Sequence, residues 1–138
     1  MFLTPEDYKV VIGATALNVT TQTDDANRQR AESEAIEEIS GYLRPKYDTQ
    51  AIFSSEGKDR NPHLVMITCD VTLYHLTSSI PQKMGMDIRK ERYDRAIQWL
   101  EDVQGGKIVP DLPLKVDEQG NVSTPVYCGS NRPLKNVW

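Results

Sequence analysis

The chain has 138 residues and a mass of 15.6 kDa, with 38% hydrophobic and 26% charged residues and a net charge of -4. That length fits one domain and excludes a large multidomain assembly. Its apolar runs are far short of the ~20 residues that cross a bilayer, and an acidic balance argues against tight binding to nucleic acid through its phosphates.

Met1-Phe2-Leu3-Thr4-Pro5-Glu6-Asp7 has no basic segment followed by an apolar one, so no secretory signal is expected. Cys69 and Cys128 are too few for a disulfide framework and point to a reducing compartment.

Thr4-Pro5-Glu6-Asp7 predicts a first helix: Thr4 caps, Pro5 fits the first helical position, and two acids face the positive helix end. It should stop near Gly13. A polar stretch from Asn18 to Asp25 leads into a longer helix whose apolar positions, Ala31, Ala35, Ile36, Ile39 and Leu43, follow the 3.6-residue period until Pro45. Residues 46–61 read as an irregular connection, with Ile52 and Phe53 as its anchors on the core.

Asn61-Pro62 repeats the cap-then-proline pattern and opens a third helix, apolar on most sides from Leu64 to Leu76. Such a helix belongs at the centre of a bundle or against a neighbouring subunit. Pro81 and Gly85 mark its exit. Asp87 is expected to cap a fourth helix with Ile88, Ala96, Ile97, Leu100 and Val103 as its buried stripe, Glu91 and Arg95 as a surface pair, and Gly105-Gly106 as its close.

From Lys107 the character changes. Four of the eight prolines lie here, and the charge passes from 12 basic against 17 acidic residues before Lys107 to 4 against 3 from it onward. Leu114, Val116 and Val122 around Glu118-Gln119-Gly120-Asn121 suggest a short β-hairpin. The expected organisation is therefore a mainly α chain: a small bundle of about four helices over residues 1–106, and an extended C-terminal arm over 107–138. The arm's apolar anchors, Val126, Tyr127, Leu134, Val137 and Trp138, read as a partner-binding set for another protein or a neighbouring subunit.

Motifs of chemistry are sparse. Glu32, Glu34, Glu37 and Glu38 cluster on the second helix, with Arg28 and Arg30 four residues before the first two, and read as a solvated or inter-subunit charged face. His63, Cys69 and His75 are spaced by six, which puts successive members on different helix faces and disfavours a zinc site. Asp70 within the apolar third helix needs an arginine or a tyrosine hydroxyl as partner. Gly57-Lys58 lacks the glycine of a phosphate loop, and Trp99 reads as packing. No catalytic set, cofactor site or metal site is expected, and the chain is not read as an enzyme.

Three stretches carry a family resemblance: Glu38-Ile39-Ser40-Gly41-Tyr42-Leu43-Arg44-Pro45-Lys46-Tyr47, Cys69-Asp70-Val71-Thr72-Leu73-Tyr74-His75-Leu76, and Arg92-Tyr93-Asp94-Arg95-Ala96-Ile97-Gln98-Trp99-Leu100 with Gly105-Gly106-Lys107. In this order, over roughly residues 3–113, they resemble the head–tail connector (adaptor, head-completion) proteins of the Mu-like prophage branch of tailed phages. The resemblance implies a virion protein at the head–tail junction, made in the host bacterial cytoplasm. It further implies a homo-oligomeric ring, commonly a dodecamer, beneath the portal protein. Such a ring meets a tail-completion or tail-terminator protein and lets phage DNA pass through its channel without sequence-specific binding, with no membrane involved. Two other readings stay open: a DNA-packaging or DNA-binding accessory protein using Arg89, Lys90, Arg92 and Arg95, and a small nuclease-like enzyme built around Asp70 and the glutamates.

Overall fold

A computed structural model describes residues 1–13, 16–17, 24–78 and 86–120. The described chain is mainly helical, with α1 (Pro5–Ile12), α2 (Asp25–Leu43), α3 (Thr49–Ser54), α4 (Pro62–Ser78) and α5 (Met86–Gln104), and a 3-10 turn at Gly57–Asp59. Among the described residues there is no sheet; one antiparallel bridge joins Tyr47 and Leu114.

The helix starts follow their caps. Asp24 and Asp48 accept from the amides of Ala26 and Ala51, opening α2 and α3. Asn61 Oδ1 accepts from the amides of His63 and Leu64, so Asn61-Pro62 opens α4 as expected. The connection expected to be irregular is instead ordered into α3 and the 3-10 turn. Asp48 supplies a cap that six residues can use, too few to show a period. Ile52 is buried, and Phe53 meets the ring of Phe2 edge-on at 4.9 Å between centroids.

α4 is the central helix, packed between α2 and α5 and touched by α1. Leu64, Val71 and Leu73 are fully buried there, facing Ala35, Ile39 and Leu43 of α2 and Ala96 and Leu100 of α5 within one core. Its buried threonines satisfy themselves: Thr68, Thr72 and Thr77 each donate to the carbonyl four residues back, at 2.7 Å. A polar side chain therefore sits in this helix without an orphaned hydroxyl.

Two positions on α5 differ from expectation. Ile88 is 54% exposed rather than part of the buried stripe, because it lies in the first turn, ahead of the contact with α4. Asp87 stands inside that first turn rather than before it, where its charge still meets the positive helix end. Ala96, Leu100 and Val103 are buried as expected.

After α5 the chain crosses back over the bundle. Ile108 and Leu112 pack against the core, and Asn61 Nδ2 donates to the carbonyl of Asp111 at 3.2 Å. The amide of Asp48 donates to the Pro113 carbonyl at 2.9 Å, and that of Lys115 to the Lys46 carbonyl at 3.0 Å. The first part of the arm is thus laid along residues 46–48. A turn follows, with the Gly120 amide bonded to the Asp117 carbonyl and Gly120 at a φ of 83°, a conformation glycine adopts freely. The hairpin's second half lies outside the described residues.

Candidate functional site

The three stretches that carry the family resemblance meet in space on α2, α4 and α5. Glu38 is their junction. Its Oε1 accepts from the Tyr93 hydroxyl at 2.5 Å and its Oε2 lies 2.8 Å from His75 Nε2, so one carboxylate ties all three helices together. Tyr93 stacks on Tyr74 with centroids 4.1 Å apart and planes 17° from parallel, and His75 borders both rings. Burial, with Glu38 beside it, pushes the Tyr93 hydroxyl well above the ordinary tyrosine range. Tyr42, one turn after Glu38, is also shifted upward, by burial and then by the charges of Glu101 and Glu38. Tyr42, Tyr74, His75 and Tyr93 are all partly exposed, so this junction is also a tyrosine-rich surface.

A second tie joins α4 to α5. Arg92 Nε donates to Asp70 Oδ1 at 2.7 Å, with Asp70 buried, which is the arginine partner that its place in an apolar helix demands. Burial raises the Asp70 carboxyl above its usual range, and the bond and charge of Arg92 offset only part of that.

The acidic cluster of α2 does not form one solvated face. Glu34 pairs with Arg30 at 3.2 Å and Glu37 with Arg44 at 3.1 Å, both exposed, but Glu38 serves the junction and Glu32 is buried. Glu32 Oε2 accepts from the buried Tyr8 hydroxyl at 3.0 Å. Burial raises its carboxyl, opposed by the bonds from Tyr8 and the Leu3 amide and by the charge of Arg28. Arg28, expected among the solvated charges, is also buried and holds its guanidinium 5.8 Å from the centre of the Tyr8 ring. Helical spacing alone put these two residues on a charged face; the Tyr8 side chain meets both of them.

His63, Cys69 and His75 are separate, as their spacing implies. His63 lies against Trp99 with centroids 4.9 Å apart, Cys69 is buried, and His75 is on Glu38. Burial pushes the Cys69 thiol far up, leaving it a protonated packing group. Among the described residues no group of three or more His, Cys, Asp and Glu side chains could hold a metal ion, and no helix is long and apolar enough to cross a membrane. Val126, Tyr127, Leu134, Val137 and Trp138 lie outside the described residues.

The fold and the junction together define a small helical bundle whose motif residues bind its own helices to one another. Residues 3–125 match the family described as Bacteriophage Mu, Gp36. The chain belongs to that family. The match extends from the first helix past residue 113 into the arm. No curated protein and no solved structure matches the chain.

Proposed function

We propose that this Mu-like phage protein is a structural head–tail connector: an adaptor that assembles as a ring beneath the portal, extends the DNA channel and joins capsid to tail. The observation that carries the reading is the family match over residues 3–125, together with the mutual pairing of the motif residues Glu38, His75, Tyr93, Asp70 and Arg92. Those motifs specify a rigid body. Binding work then falls to surfaces and to the arm, whose root is fixed beside Tyr47. The partners in this reading are the portal protein, a tail-completion or tail-terminator protein, and further copies of the chain in a dodecamer. The arm residues Val126, Tyr127, Leu134, Val137 and Trp138 serve as anchors on the portal or a neighbouring subunit, and the bundle has no catalytic role.

The charge arrangement favours this over the DNA-binding reading. Three of the four basic residues on α5 are paired, Lys90 with Asp94 at 2.8 Å, Arg92 with Asp70 at 2.7 Å and Arg95 with Glu91 at 2.6 Å, and the fourth, Arg89, is partly buried. A reading helix needs such groups free to meet phosphates and bases. A body of this kind lines a DNA channel without gripping its cargo.

The test is native mass measurement and electron microscopy of the purified full chain with and without its portal. A closed ring on the portal is the expected result. A chain that ignores the portal and binds duplex DNA with steep salt dependence would replace this function with the packaging-accessory one.

A further inference from the structure

We infer that the outer face of the α4–α5 seam, formed by Ile88, Arg92 and Trp99 with His63 and Met66, receives the segment Leu114–Glu118 of a second copy of the chain. The inference rests on the adaptor reading and names the contact that joins one subunit to the next.

The receiving face is built from two helices tied together at both ends of the patch. Arg92 Nε holds Asp70 at 2.7 Å, and the Trp99 ring meets that of His63 with centroids 4.9 Å apart. Ile88, Arg92 and Trp99 are spaced by four and then seven residues, which keeps them on one side of α5. Met66, one turn after His63, is 38% exposed, Ile88 is 54% exposed, and Trp99 is partly exposed. Tryptophan, methionine and arginine are the side chains that interface centres favour.

Arg92 offers more than Asp70 uses. Among the described residues only its Nε is bonded, which leaves the two terminal amino groups of a side chain that is 34% exposed. Arg89 stands one turn earlier on α5, and its Nη1, shut away from solvent, has no hydrogen-bond partner among the described residues. Asp87 is two residues from Arg89 and so does not face it. The neighbouring charges are already matched, Lys90 with Asp94 and Arg95 with Glu91. Two guanidiniums are thus met by one carboxylate, and the seam has a place for a second.

The segment is complementary in side chain and in order. Leu114 is 39% and Val116 55% exposed; as alternate residues of an extended run they share a side, with Lys115 turned the other way. Glu118 follows, exposed and without an ion-pair partner among the described residues. Asp117 is occupied in shaping the turn, where it accepts from the Gln119 amide at 3.0 Å. Two apolar side chains and then a carboxylate therefore meet an apolar stretch and then a guanidinium. The lengths agree, since Trp99 to Arg92 spans roughly 10 Å of helix and Leu114 to Glu118 at most roughly 14 Å.

Both surfaces are uncovered in one and the same chain, so neither serves the other there. The segment is held where it lies, by the Lys115 amide on the Lys46 carbonyl at 3.0 Å and the Asp48 amide on the Pro113 carbonyl at 2.9 Å. A ridge in one place and its receptor in another make a heterologous contact, the kind that closes into a ring.

The experiment mixes two full-length chains in a C128S background, one carrying M66C and the other V116C; the remaining thiol, Cys69, is buried. A short bismaleimide should join them into a mixed pair about tenfold more efficiently than it joins V116C to V10C, although Val10 on α1 is the more exposed site. In parallel, E118K, which sets a cation against Arg92, and V116D should each weaken self-association about tenfold at an unchanged urea midpoint. Equal yields at positions 66 and 10 overturn the proposal, as do charge changes without effect on self-association. M66C coupling to the portal and not to V116C overturns it too. E118K chains that still close rings on the portal keep the adaptor function and lose this contact. Chains that ignore the portal but give the mixed pair lose the adaptor function and keep the contact.

Discussion

Arg60 reaches across the fold to Asp7, its Nη1 2.6 Å from Oδ2 and its Nη2 3.3 Å from Oδ1, while the amide of Thr4 donates to the same Oδ2 at 2.7 Å. One carboxylate therefore caps α1 and receives a guanidinium fork from the loop before α4. Arg60 also donates to the carbonyls of Phe2 at 2.7 Å and Gly57 at 3.1 Å, so it closes the N-terminal residues over the core. Replacing Arg60 by alanine strands a mostly buried carboxylate and should cost about 2–4 kcal/mol. Lysine should recover less than half, because an ammonium cannot reproduce the fork. A urea midpoint that falls with an unchanged slope is the expected observation.

The same site sets an acid limit. Burial pushes the Asp7 carboxyl up, but the bonds from Arg60 and Thr4 outweigh it and hold the group below its ordinary 3.8. A depressed carboxyl contributes stability that is present above the ordinary value and is lost as pH falls through the folded one. Stability should therefore drop below about pH 4 in the parent, and Asp7→Asn, already less stable at neutral pH, should show a shallower drop there. Equal acid slopes in the two proteins would remove Asp7 from the account.

Glu32 has the opposite sign. Its carboxyl is raised mainly by burial, so the stability it withholds grows as pH rises from the ordinary carboxylate range through the raised value. Glu32→Gln keeps an acceptor for Tyr8 and should be at least as stable as the parent at neutral pH, with any gain fading in acid. Tyr8→Phe removes a donor from a buried carboxylate and should cost about 1–3 kcal/mol. Thermal unfolding across pH separates the two.

These buried charges also mark where the sequence becomes hard to read. Thr4-Pro5 and Asn61-Pro62 announced helices because their caps and prolines act locally, and α1 and α4 begin there. The apolar period of α2 identified Ala31, Ala35, Ile39 and Leu43 as core. Arg28 and Glu32 are buried against the side chain of Tyr8, which reaches them from α1, a tertiary fact with no trace in helical spacing. α3 was hidden by its six residues. The Glu38 junction was partly legible: its members stood in the shared motifs, but a stripe such as Ile39-Tyr42-Leu43 looks like plain packing until His75 and Tyr93 are seen on the same carboxylate.

Asp70 and Arg92 should behave as a coupled pair. Arg92→Ala leaves Asp70 buried without its only direct cationic contact among the described residues, and should cost about 2–4 kcal/mol. In R92A/D70N the stranded charge is gone, so the double variant should be more stable than R92A alone. A double-mutant cycle should return a coupling of about 1–3 kcal/mol, and simple additivity would show the contact to be incidental.

The arm divides into a root and an end with different consequences. At the root, the amides of Asp48 and Lys115 donate across the bridge, so both should exchange with solvent more slowly than the same amides in the urea-unfolded chain. Leu112→Ala should loosen this seat, shown by faster exchange at Lys115 with little change in α4, because Leu112 is only partly buried against the core. Removing Val126–Trp138 spares every one of these contacts. The shortened chain should therefore unfold at the parent's urea midpoint, while its attachment to the portal weakens. Loss of the helical fold in that variant would mean that the end of the chain supports the body, and the division of labour between bundle and arm would have to be abandoned.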